Sequence, residues 1–72
     1  MAKYNDGSKV KWKWGDGYGH GKVQSSFAKK VTRTIDGSEI TRNGSEDNPA
    51  YYVDVDDGNN VLKLESELES DS

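Results

Sequence analysis

Few residues in this chain can do covalent or acid–base chemistry. Its 72 residues include one histidine and no cysteine. Thiolate nucleophiles, disulfides and cysteine-bound metals are therefore excluded, and His20 is the one imidazole for proton transfer. His20 sits within Gly15-Asp16-Gly17-Tyr18-Gly19-His20-Gly21, where sequence identifies no partner for it. A solvated loop histidine is the expectation, and the chain reads as a non-enzyme. The same glycine run fails both phosphate-binding patterns: His20 takes the sixth position of G-x-G-x-x-G, and no G-K-[ST] follows. It leads into a strand pattern, so no helix N-terminus is there to hold an anion. Asp54 to Glu65 has the length of an EF-hand loop, yet its glycine, Gly58, stands one place before the sharp turn needs it. A hairpin turn at Asp56-Asp57-Gly58-Asn59 accounts for the same residues. The expectation is no cofactor and no metal.

Binding chemistry is better supplied. Trp12, Trp14, Tyr18, Phe27, Tyr51 and Tyr52 are many rings for a chain that is 31% hydrophobic. Trp12 and Phe27 read as core. Trp14 and Tyr18 flank or lie in the glycine run, and Tyr51 and Tyr52 point to opposite faces of one strand. Rings gathered at one end of a small fold form a cage for a cation or a surface for stacking. The alternative is electrostatic: Lys9, Lys11, Lys13 and Lys22 as a track for nucleic acid. The acidic balance, net −3 with a pI of about 5.0, disfavours it, because nucleic-acid-binding domains are usually basic.

The elements that must position these groups are strands. Lys9 to Trp14 alternates with period two, placing Val10, Trp12 and Trp14 on one face and three lysines on the other. Gly15 to Gly21 reads as a wide loop and Lys22 to Phe27 as the returning strand. Lys30 to Ile35 and Glu39 to Arg42 form a second hairpin about Asp36-Gly37. A two-residue loop there would set Ile40 opposite Arg33; a four-residue loop, the preferred expectation, pairs Ile40 with Ile35. Asn43 to Pro49 is a linker of turn formers, and Ala50 to Val55 and Asn60 to Leu64 make a third hairpin. Ser66-Glu67-Leu68-Glu69 fits a capping box, hence a short helical turn with Leu68 docked. The organisation expected is an N-terminal segment 1–8, a barrel 9–68 and a frayed tail 69–72.

One small domain is all this length allows, and a core of this size supplies only about 3–5 kcal/mol net. The first 42 residues carry nine basic and four acidic side chains, the remainder one and nine, so the halves are of opposite sign. No apolar run reaches the ~20 residues of a membrane span and the first residues lack a signal pattern. The expectation is a cytoplasmic monomer with no membrane partner. Asn43-Gly44-Ser45, a glycosylation pattern, is then only a turn. Five or six short strands with little helix predict an all-β, SH3-like antiparallel barrel.

Three stretches carry a family resemblance: GSKVKWKWGDGYGHGKV (7–23), VTRTIDGSEITRNGSEDNPAY (31–51) and DDGNNVLKLESEL (56–68). Together they resemble the hypervirulence-associated protein Tudor domain family, the middle stretch most specifically. The resemblance implies a Tudor-like barrel and brings no catalytic residue set. Tudor domains in general hold methylated lysine or arginine in an aromatic cage, which by analogy of fold raises Trp14, Tyr18, Tyr51 and Tyr52 as candidates. Arg33 and Arg42 lie in the most specific stretch. They either clamp the linker through acids such as Asp47 or Asp54, the favoured expectation, or offer guanidinium forks to a carboxylate or phosphate. The function expected is a non-enzymatic module that contacts a peptide or protein through aromatics at one barrel end.

Overall fold

Alternation of apolar and polar residues becomes strand wherever it occurs in this chain. The computed structural model describes residues 3–56 and 58–71. Among them are seven strands: β1 (Lys9–Trp14), β2 (Gly17–Phe27), β3 (Lys30–Ile35), β4 (Ser38–Asn43), β5 (Ala50–Val55), β6 (Asn60–Leu64) and β7 (Glu69–Ser70). A single 3-10 turn, Glu65–Glu67, joins the last two. All the pairings are antiparallel, in a five-stranded sheet ordered β6-β5-β2-β1-β7 and a separate β3-β4 ribbon. The fold is all-β, as the periodicity predicts, and has the form of a small Tudor-like, SH3-like barrel.

The glycine run is not a wide loop. Trp14 pairs with Gly17, Trp12 with Gly19 and Val10 with Gly21, so the turn is only Gly15-Asp16 and the glycines belong to β2. Large residues on β1 thus face bare backbone on β2. A β-carbon at Gly19 would meet the Trp12 ring, which fills that space instead.

The second hairpin also differs from expectation. Ile35 pairs with Ser38 and Arg33 with Ile40, leaving a two-residue turn in which Asp36 (φ 52°) and Gly37 (φ 77°) are both left-handed. That is the geometry of a type I′ turn, whose twist matches the flanking strands. It opposes Arg42 to Val31 rather than to Arg33 and keeps Val31, Arg33, Ile35, Ile40 and Arg42 on one face.

Two apolar clusters occupy opposite faces of β5. Tyr51 and Val53 pack with Tyr4, Val10, Trp12, Val23 and Leu68. Ala50 packs with Val31 and Leu62, ringed by Phe27, Ile35, Ile40, Tyr52 and Leu64. The ribbon β3-β4 covers the second cluster. A bulge in β2 between Val23 and Ser25 bends the strand between the two clusters. Tyr4, in a segment without strand periodicity, is a core residue the sequence pattern did not disclose.

The C-terminal region is more ordered than a frayed tail. Leu68 is docked and buried as expected, but the helical turn lies earlier than the Ser66–Glu69 box: the Glu67 carboxylate accepts the Leu64 N–H at 2.9 Å. Glu69 then pairs with Lys11 and Ser70 with Val10, and Asp71 N–H donates to Lys9 O at 3.0 Å. In the Asp56–Asn59 turn, Asp57 lies outside the described residues. The flanks are strand, and Val55 N–H donates to Asn59 O at 2.8 Å, a hairpin closure rather than a calcium loop. Met1, Ala2 and Ser72 also lie outside the described residues, so the expectations for the ends of segments 1–8 and 69–72 extend beyond them. No helix among the described residues is long and apolar enough to cross a membrane.

Candidate functional site

Among the described residues the two large apolar side chains left exposed are Trp14, at 71%, and Tyr18, at 50%. Strand alternation sends them apart. Trp14 follows Trp12 onto one face of the β1-β2 hairpin, whereas Tyr18 pairs with Lys13 and shares the other face with Lys9, Lys11, His20 and Lys22. Tyr18 is already partnered: the Lys11 ammonium stands 5.2 Å from its ring centroid.

Tyr51 is fully buried. Its hydroxyl accepts the N–H groups of Lys3 and Tyr4, at 3.0 and 3.2 Å, and donates to Glu65 at 2.9 Å. Its ring meets Tyr4 edge-on with centroids 5.5 Å apart. Burial, aided by the bond to the Glu65 carboxylate, raises the pKa of this phenol above the ordinary tyrosine value. Tyr52, on the alternate face, is half-buried in the second cluster. The four rings Trp14, Tyr18, Tyr51 and Tyr52 therefore do not converge, and an aromatic cage built from them is ruled out by the geometry.

The arginines are held by partners other than Asp47 and Asp54. Arg33 stacks its guanidinium 4.7 Å from the Phe27 ring and donates to Thr32 O at 2.9 Å. Arg42 donates through one terminal nitrogen to Glu67, tying β4 to the 3-10 turn. Asp54 instead accepts from Asn60 and Gln24. His20 is not partnerless: its Nδ1 lies 2.8 Å from an Asp71 carboxylate oxygen, both groups being substantially exposed.

The lysine face carries no ion pair to Lys9, Lys11, Lys13 or Lys22 among the described residues. It is nonetheless bordered by acids on both sides, since Glu69 stands across from Lys11 on β7 and Asp54 across from Lys22 on β5. Those borders offset the lysines' field and narrow the basic strip to two strands.

What the fold does assemble is a groove of about 520 Å³ between the β3-β4 ribbon and the sheet. Trp12, Trp14, Val55 and Val61 wall it from the sheet, Ile35 and Ile40 from the ribbon. Gly19 lies at its floor beneath Trp12. Arg42 and Lys63 line it too, as do Asp36, Asn59 and Asn60. Of the sequence candidates only Trp14 and Arg42 belong to it; the isoleucines, the valines and Lys63 were missed. Their signal was the two-residue turn, which puts Ile35 and Ile40 on one face. Among the described residues no cluster of histidine and carboxylates suited to a metal occurs. A concave apolar wall with a few polar groups at its ends can hold a side chain and orient it.

No curated protein and no solved structure matches the chain. A family model, hypervirulence-associated proteins TUDOR domain, matches residues 7–68, from just before β1 through the 3-10 turn to Leu68. That span contains the whole groove, and the chain belongs to the hypervirulence-associated protein TUDOR domain family.

Proposed function

We propose that this domain is a non-enzymatic binding module that takes an apolar or aromatic side chain of a peptide or protein partner into the groove beside Trp14. Membership of a Tudor-type family supports the broader statement, because such domains are generally binding modules rather than catalysts. The observation that carries the finer one is Trp14 itself. In a chain with so small a core, a 71% exposed indole contributes little to folding where it stands. It is placed at an apolar groove whose other walls are half-buried Ile35, Ile40, Val55 and Val61. Exposed apolar surface continuous with a concavity marks interaction sites, and tryptophan is the residue most enriched at binding hot spots.

Selection of random peptides on the immobilised protein tests this. The selected peptides share an apolar or aromatic anchor, and Trp14→Ala or Ile40→Ser weakens them by at least about tenfold. Peptides that bind the Trp14→Ala protein equally well contradict the proposal. The lysine face is the lesser alternative; nucleic acid binding there demands affinity that falls steeply with salt.

A further inference from the structure

We infer that the partner is an extended peptide bearing a carboxylate side chain two residues from its apolar anchor, received by Lys63 and Arg42; this rests on the groove being the binding site. On β4, Ile40 and Arg42 are two residues apart, and so are Val61 and Lys63 on β6. Alternation puts each pair on one face, so both strands step from an apolar to a cationic side chain over one β-repeat, about 7 Å. The two strands are in contact, and all four residues line the same groove. Its apolar length therefore ends in two cations.

Neither cation is saturated. No carboxylate lies within ion-pair distance of Lys63 among the described residues. Among the described residues Arg42 makes one side-chain hydrogen bond, through a single terminal nitrogen to Glu67, out of the five N–H donors a guanidinium carries. Both side chains are partly withdrawn from water, where a charge-assisted hydrogen bond is worth more than at an open surface. An extended ligand has the same two-residue repeat as the groove walls. A side chain between Ile40 and Val61 thus delivers the next residue on its face to Arg42 and Lys63. Asp36, beside the apolar part of the groove at the turn that follows Ile35, disfavours the carboxylate there and sets the direction of the ligand.

The test uses two acetylated and amidated peptides, one containing leucine-threonine-glutamate and one leucine-threonine-lysine, titrated into ¹⁵N-labelled full-length protein. The glutamate peptide is expected to bind about tenfold tighter than the lysine peptide, shifting Trp14, Ile40, Val61 and Lys63 together. Lys63→Glu is expected to reverse that order. If that variant does not fold, as judged by its amide spectrum, Lys63→Gln is expected to reduce the preference without reversing it, Arg42 remaining, and an undiminished preference contradicts the role of Lys63. Equal binding of both peptides, with shifts at Trp14 and Ile40, overturns the carboxylate site and leaves the groove standing. Absence of shifts at the groove with either peptide contradicts both.

Discussion

The indole of Trp12 lies against the backbone of Gly19, its cross-strand partner: a β-carbon at Gly19 would stand 2.5 Å from Trp12 Cε2. Gly19→Ala must therefore push Trp12 out of its place in the core, a form of overpacking that costs about 1–3 kcal/mol. Gly17→Ala, where a β-carbon would meet nothing within 4 Å, is expected to change stability by less than about 0.5 kcal/mol. Urea unfolding of the two variants measures the contrast.

The tryptophans two residues apart on β1 separate folding from binding. Trp12 is 4% exposed, and Trp12→Ala is expected to cost about 3–5 kcal/mol, as much as the whole net stability of so small a domain. Trp14→Ala is expected to leave the thermal midpoint nearly unchanged. Circular dichroism melts of both variants check this, an unfolded Trp14→Ala protein being the contrary result.

Tyr51→Phe removes a hydroxyl that accepts two N–H groups and donates to Glu65. The Lys3 N–H keeps the Glu65 carboxylate at 2.9 Å, but the buried Tyr4 N–H loses its acceptor, at a cost of about 1–3 kcal/mol, and faster hydrogen exchange at Tyr4 reports the loss. The substitution also changes alkaline stability. Because burial raises the folded pKa of Tyr51, its contribution is fully present below the unfolded value near pH 10. As pH rises through the folded value the unfolded chain releases the proton first, and that stability is lost. Tyr51→Phe is expected to flatten the decline above about pH 10.

Asp71→Asn weakens the contact with His20 that helps hold β7 on β1. The pair is exposed, so the expected loss is under about 1 kcal/mol and falls further in high salt. Exchange of the Asp71 amide, which bonds to Lys9 O, is the local readout.

Strand positions were legible because period-two alternation is local: Val10 and Trp12 announce β1 from six residues. Pairing was less so. Seven residues with four glycines look like loop until they are paired with Val10, Trp12 and Trp14, where Gly19 makes room for the Trp12 ring and Gly21 for the β5 backbone at Asp54. The Asp36-Gly37 turn departs from the four-residue expectation because the ribbon needs Ile35 and Ile40 only on one face, packed against Leu62 and its neighbours, and not directly paired. The groove was hidden for the same reason. Trp14 and Arg42 were named from sequence, but Ile35, Ile40, Val61 and Lys63 become a site only once the ribbon lies across β6. The expected cage failed on alternation, since residues 51 and 52 face opposite ways and the hairpin separates Trp14 from Tyr18.

That separation permits one decisive measurement. Trp14 and Tyr18 report opposite faces of the same hairpin, so an amide and indole ¹H–¹⁵N spectrum of the protein with a selected peptide shows which face is engaged. The groove account predicts shifts at the Trp14 indole and at Gly19, Ile35, Ile40, Val55 and Val61, with Lys9, Lys11, Tyr18 and Lys22 unmoved. Shifts confined to Tyr18 and the lysines, fading as salt rises, would contradict it.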